Sequence, residues 1–145
     1  EQSRKYYDML KSVNSLVSGS LKVKESVLML SEISESYVTN YGKMLTDENY
    51  TQRELEAIAF GYNNIMKKSS ASVAGLKNII NPTGMSMTDK ERLDLIERVY
   101  REMMHYRTLV NYYTRKNLRV SYLRAWEKGE TEQLLKLYGE DERYW

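Results

Sequence analysis

The chain has 145 residues, a length at which one domain can bury roughly two thirds of the surface its unfolded form exposes. Apolar residues make up 41% and charged residues 29%, with one proline and seven glycines, which excludes disorder and a turn-rich β protein and leaves an all-α class. A net charge of +2 is too small to draw nucleic acid or a membrane by bulk electrostatics, and the lack of cysteine excludes disulfide scaffolds, thiolate nucleophiles and cysteine-ligated zinc.

The apolar positions Tyr6, Leu10, Val13 and Val17 follow helical spacing until Ser18-Gly19-Ser20 inserts small, flexible residues, so the first helix is expected to break near Gly19. The pattern resumes with Val23, Val27, Leu30, Tyr37, Tyr41 and Met44 on one face, Ser34 being its polar gap. It ends at the polar loop Thr46-Asp47-Glu48-Asn49.

Thr51-Gln52-Arg53-Glu54 has the form of a capping box, in which two side chains each satisfy a backbone N–H at the other end, and it opens a second long helix. Leu55, Ile58, Tyr62, Ile65, Leu76 and Ile79 then keep heptad spacing, with Ser69 and Ser72 in the missing seam positions. The small residues Ala71, Ala74 and Gly75 allow close approach of a neighbouring helix or leave a concavity, and close packing is the expectation. Asn81-Pro82-Thr83-Gly84 ends the helix, because proline disfavours helical geometry before it and removes a donor.

A second box, Thr88-Asp89-Lys90-Glu91, opens the third helix, which runs from Asp89 to about Lys128, on the order of 60 Å at the standard rise. Ile96, Met103 and Val110 occupy one seam position of a heptad, and Val99, Tyr106, Tyr113 and Val120 the other. Asn117 on that seam reads as a register-setting polar residue or the end of the seam. This helix is too long for a compact four-helix bundle, so its part past Asn117 is expected to project or to pair with the broken first region. Gly129 supplies a stop. A short last helix follows Thr131, burying Leu134, Leu135 and Tyr138 and ending at Gly139, with residues 140–145 as a mobile tail unless Trp145 docks. The architecture expected is an elongated bundle of three long helices plus a short C-terminal one, forming a single helical domain over 1–145.

Chemistry is sparse. His105 is the only histidine and projects off the seam toward the charged side, which makes it a surface residue. No glycine-rich phosphate loop occurs. Carboxylate pairs such as Glu54 with Glu56, or Asp89 with Glu91, lie in helix first turns, where the helix dipole accounts for them. No catalytic, cofactor-binding or metal-binding residue is assigned, and no cofactor is expected.

One side of the third helix is basic. Residues 98–124 hold Arg98, Arg101, Arg107, Arg115, Lys116, Arg119 and Arg124 against the single acid Glu102. Arg98, Arg101, Arg115, Lys116 and Arg119 project onto about a third of the circumference with Tyr112 among them, which suits phosphate contact with aromatic stacking. The alternative is a solvated face partly neutralised by the acids of 130–142. Thirteen tyrosines against one phenylalanine is unusual. Tyr62, Tyr106 and Tyr113 fall on the seams, where each hydroxyl needs water or a partner, while Tyr6, Tyr7, Tyr50, Tyr112, Tyr122, Tyr144 and Trp145 are the expected exposed aromatics.

The run Asn49-Tyr50-Thr51, Glu54-Leu55-Glu56-Ala57-Ile58, Tyr62-Asn63-Asn64-Ile65 and Lys68-Ser69, followed by Met87-Thr88-Asp89-Lys90-Glu91-Arg92-Leu93 and Ile96-Glu97-Arg98-Val99-Tyr100, resembles the TraI-type conjugal transfer proteins of Bacteroidetes conjugative transposons. The resemblance covers 20 to about 124, most closely 49–124, and does not extend past Gly129. It implies a leader-bearing, exported accessory of a type IV secretion channel, similar in its helical form to minor pilus-tip components. The start at Glu1 fits a chain after leader cleavage, and equally a trimmed piece of a longer one. No catalytic or ligand residues come with the resemblance.

The expectation is therefore a periplasmic or otherwise exported structural adaptor, without enzymatic activity or a membrane span, that contacts other proteins of a mating apparatus. The alternative is a DNA-binding accessory using Arg98, Arg101, Tyr112, Arg115, Lys116 and Arg119.

Overall fold

Capping chemistry marks several of the helix ends. The computed structural model describes residues 20–77 and 87–139, which form an all-α bundle of α1 (Ser20–Met44), α2 (Gln52–Ala74), α3 (Asp89–Lys128) and α4 (Thr131–Tyr138). At α2 the capping box is complete: Thr51 N–H donates to Glu54 Oε1 at 2.9 Å and Glu54 N–H to Thr51 Oγ1 at 3.1 Å. At α3, Glu91 N–H donates to Thr88 Oγ1 at 3.1 Å, while the Glu91 carboxylate takes the Thr88 hydroxyl at 3.0 Å rather than a backbone donor. Gly129 stops α3 with φ of 73°, as Gly129 N–H reaches Trp126 O at 3.1 Å and Glu130 N–H reaches Ala125 O at 2.8 Å. That pair of bonds is a Schellman motif, whose left-handed residue favours glycine. α4 buries Leu134 and Tyr138 as expected, with Leu135 half-buried. The helix expected to run to Pro82 ends instead at Ala74, where Gly75 N–H reaches Ser72 O at 3.2 Å and Leu76 N–H reaches Val73 O at 2.9 Å in a tightened last turn. The expected break near Gly19, Ile79, Pro82 and the tail 140–145 lie outside the described residues.

The chain divides into two compact units, Glu1–Ser34 with Met66–Arg107 and Glu35–Ile65 with Thr108–Trp145, so each long helix gives one stretch to each unit. The first unit buries Val23, Val27, Leu30 and Ile33 of α1, Val73 and Leu76 near the end of α2, and Ile96, Val99 and Met103 of α3. At its surface Lys22 pairs with Glu97, which also accepts Arg101 Nε at 3.2 Å, and Arg107 pairs with Glu32 at 3.6 Å. The hydrogen bond from Lys22, assisted by Arg101, lowers the pKa of Glu97.

The second unit buries Tyr62 completely, among other tyrosines. Its ring stacks on Tyr37 at 4.7 Å and 9° and meets Tyr113 edge-on at 4.9 Å and 89°. Its hydroxyl shares a 2.7 Å hydrogen bond with Thr114 Oγ1. Two other rings are tied to backbone, Tyr41 to Leu55 O at 2.9 Å and Tyr113 to Ile58 O at 2.9 Å, while the Tyr37 hydroxyl donates to Asn63 Oδ1 at 3.1 Å. Gly61 makes room for Tyr113, since a Cβ there would sit 2.1 Å from the Tyr113 hydroxyl.

Three expectations are corrected. The heptad seam of α3 holds to Val110, but the buried face then passes through Thr114, Leu118, Ser121 and Ala125, while Val120 is 37% exposed. Val99, Val110 and Ser121, and in parallel Met103, Thr114 and Ala125, recur every eleven residues, a period close to that of a straight helix. Among the described residues the stretch past Asn117 does not project: the α1–α2 loop lies against its inner side through Ser121 to Asp47, Asn49 to Ser121 and Arg124 to Asn49, and Tyr138 of α4 bonds the same Asp47. Any pairing with residues 1–19 lies outside the described residues. Ala71, Ala74 and Gly75 are exposed rather than closely packed, and beside them lies an open groove of about 460 Å³ lined by Lys68, Ser72, Arg98 and Tyr106. The small side chains of Ala71 and Gly75 thus line a concavity, the alternative to close packing. Among the described residues no helix is long and apolar enough to cross a membrane.

Candidate functional site

The outward face of distal α3 is set by what holds its inward face. Asp47, 6% exposed in the α1–α2 loop, accepts Ser121 Oγ and the Tyr138 hydroxyl (2.7 Å) on Oδ2 and Asn49 N–H (2.9 Å) on Oδ1. No Lys, Arg or His pairs with it among the described residues, so three neutral donors replace its water. Burial first, and the bond to Asp47 second, push the Tyr138 hydroxyl well above the usual tyrosine range, so it stays a donor. The Tyr50 hydroxyl donates to Asn117 O and is raised by burial and then by Asp47. Tyr50 is thus a core residue, 8% exposed, and not one of the exposed aromatics as expected.

Arg124 closes the anchor from outside. Its guanidinium donates to Asn49 O at 2.7 Å and to both Glu54 oxygens, at 2.8 and 2.7 Å. The Arg124 hydrogen bonds, with the Thr51 N–H, pull the Glu54 carboxyl from 4.5 down to about 2. A depressed folded pKa means the contribution is complete above the unfolded value and is lost as pH falls through the folded one. Glu54→Gln is therefore expected to cost about 1 kcal/mol at pH 7, solvent screening having reduced it from the ideal value. In urea unfolding the difference from the parent should vanish near pH 2; an equal difference at both pH values contradicts the pairing.

With Leu118, Ser121 and Ala125 held inward, the opposite side of α3 presents Tyr112, Lys116, Arg119, Leu123 and Trp126. Their four-three-four-three spacing keeps them within about 80° of the circumference at 100° per residue. Tyr112 is 53%, Leu123 59% and Trp126 66% exposed. Lys116 and Arg119 are exposed, Arg115 is half-buried at the flank, and none of the three makes an ion pair among the described residues. The bundle thus turns outward a stripe of cations and large apolar groups without an acid in it.

Of the six residues expected on this face, Tyr112, Arg115, Lys116 and Arg119 belong to the second unit. Arg98 and Arg101 belong to the first, where Arg101 is held by Glu97 and Arg98 lines the groove with Glu102. The acids of 130–142 do not neutralise the face within the described residues: Glu130 meets Lys128 at 3.9 Å, and Glu32, Glu54 and Glu97 take the arginines. Leu123 and Trp126 were missed by sequence reasoning although they extend the same spacing. His105 is exposed, as expected. A second hollow of about 210 Å³, lined by Thr46, Asp47, Glu48, Asn49 and Glu130, is acidic, but among the described residues no group of three His, Asp or Glu is placed to hold a metal ion. Comparison with protein-family models, with curated proteins and with solved structures finds no match to this chain.

Proposed function

We propose that this chain is a non-enzymatic helical adaptor that works by protein–protein contact through the outer faces of its long helices. The observation that carries this reading is the stripe on α3, where Tyr112, Leu123 and Trp126 are half or more exposed beside Lys116 and Arg119. Aromatic and arginine side chains dominate the energetics of protein interfaces, and leaving three large apolar groups in water on one face is unfavourable unless a partner covers them. The setting, an exported component of a conjugative type IV secretion apparatus with other mating proteins as partners, rests on the resemblance of 49–124 to the TraI-type proteins. Replacing Arg119 by Glu together with Trp126 by Ala is expected to lower mating efficiency by about tenfold or more while leaving the thermal midpoint within error of the parent, since both residues lie outside the core. Normal transfer by a variant that accumulates to parental levels would remove the reading.

A second reading, a DNA-binding accessory, is favoured by one observation: Arg115, Lys116 and Arg119 carry no carboxylate partner among the described residues and flank the exposed Tyr112. Binding through several phosphates weakens steeply as salt rises. Titration of single- and double-stranded DNA at low and high salt separates the two, and no binding at low salt removes this one.

A further inference from the structure

The outer side of α1 carries a stripe of opposite charge with the same spacing as that of α3. Leu21, Glu25, Leu28, Glu32, Glu35 and Thr39 follow one another at four, three, four, three and four residues, so they lie along one line of the helix, as seam residues of a two-helix pair do. Leu21 is 67% and Leu28 47% exposed. Glu32 and Glu35 are exposed, and the 3.6 Å contact of Glu32 with Arg107 leaves its side chain 55% open. The stripe is acidic where that of α3 is basic, and both contain exposed leucines.

We infer that the α1 stripe of one copy docks antiparallel on the α3 stripe of a second copy. The inference rests on the reading of these outer faces as protein-contact surfaces and names the occupant. Laid antiparallel, Tyr112 faces Thr39, Lys116 faces Glu35, Arg119 faces Glu32, Leu123 faces Leu28 and Trp126 faces Glu25 with Leu21 beside it. Every cation then meets an acid and leucine meets leucine, in the mixed layering of an antiparallel pair. The contact is heterologous, because each copy offers one stripe of each kind, and it therefore propagates from copy to copy unless the rotation closes a ring. A single helix pair of about five layers is a small interface, so association is weak and strengthens at low salt.

The absence of cysteine permits a direct test. Leu28→Cys and Leu123→Cys proteins, each with one exposed thiol, are oxidised separately and as a mixture at high concentration and low salt. The mixture is expected to give a 28-to-123 disulfide in excess of the two homodimers, with sedimentation showing growth beyond a dimer in the parent. Adding Lys116→Glu to the Leu123→Cys chain should lower the yield by about tenfold through like-charge juxtaposition, and Glu35→Lys in the Leu28→Cys chain should restore it. Homodimer yields equal to the mixed yield, a preferred link from Leu28→Cys to Tyr112→Cys, or no link at all would each overturn the proposal. So would a protein that stays monomeric and binds DNA through the same face. A chain that fails to cross-link to itself yet loses mating function on replacement of Arg119 and Trp126 overturns self-docking and leaves the adaptor reading standing.

Discussion

Replacing Asp47 by alanine is expected to destabilise the protein by about 3 kcal/mol in urea unfolding. The carboxylate is buried and accepts three hydrogen bonds, from Ser121 Oγ, the Tyr138 hydroxyl and Asn49 N–H. Removing it leaves three buried or half-buried donors without an acceptor, and each stranded donor costs on the order of 1 to 3 kcal/mol before relaxation lets water in. Asp47→Asn keeps one oxygen but turns an amide N–H₂ toward the donors, so its cost should fall between parent and alanine. Because Tyr138 is the buried end of α4, hydrogen exchange of the α4 amides should quicken more than that of α1. A loss below about 0.5 kcal/mol, the usual size for a surface change, would show that the carboxylate does not organise this region.

Tyr62→Ala is expected to cost about 3 to 5 kcal/mol, the range for truncating a large buried aromatic. The ring is fully buried, and its removal also takes the stacking partner from Tyr37 and the edge contact from Tyr113. The hydroxyl can be separated from the ring. Tyr62→Phe leaves the buried Thr114 hydroxyl unanswered and should cost about 1 kcal/mol, whereas Tyr62→Phe with Thr114→Val removes both polar atoms and should cost less than the sum of the two single changes. Additive losses in that cycle would mean the two hydroxyls are not bonded.

The starts of α2 and α3 and the end of α3 were legible because they rest on local chemistry, whereas the end of α2 at Ala74, short of the expected Pro82, was not. Thr51 with Glu54, Thr88 with Glu91, and Gly129 act within a few residues of one another, so their pattern is written in the order of the chain. The apolar core of the first unit was legible for the same reason, since Val23, Val27, Leu30, Ile96, Val99 and Met103 repeat at helical spacing. The distal seam of α3 was not, because Thr114 and Ser121 are polar and Ala125 is small, and a hydrophobic period is blind to buried groups that reach a hydrogen-bond partner. Ser26 and Ser69 are buried on the same terms, each bonded to a carbonyl of its own helix. The Asp47 anchor joins residues 74 and 91 positions apart, a pairing that no local spacing announces. The basic character of the α3 face could be read from the sequence, but its apolar half, Leu123 and Trp126, emerged only once the inward face was known.

The claim on which the functional account turns is that the outer stripe of α3 meets protein. A photoreactive amino acid placed at Leu123, an exposed position within the stripe, tests it in mating donor cells. Irradiation is expected to yield adducts that protease removes and nuclease leaves intact, and that diminish when Lys116 and Arg119 are both changed to Glu. Adducts removed by nuclease, or none from a stably accumulated protein, would contradict it.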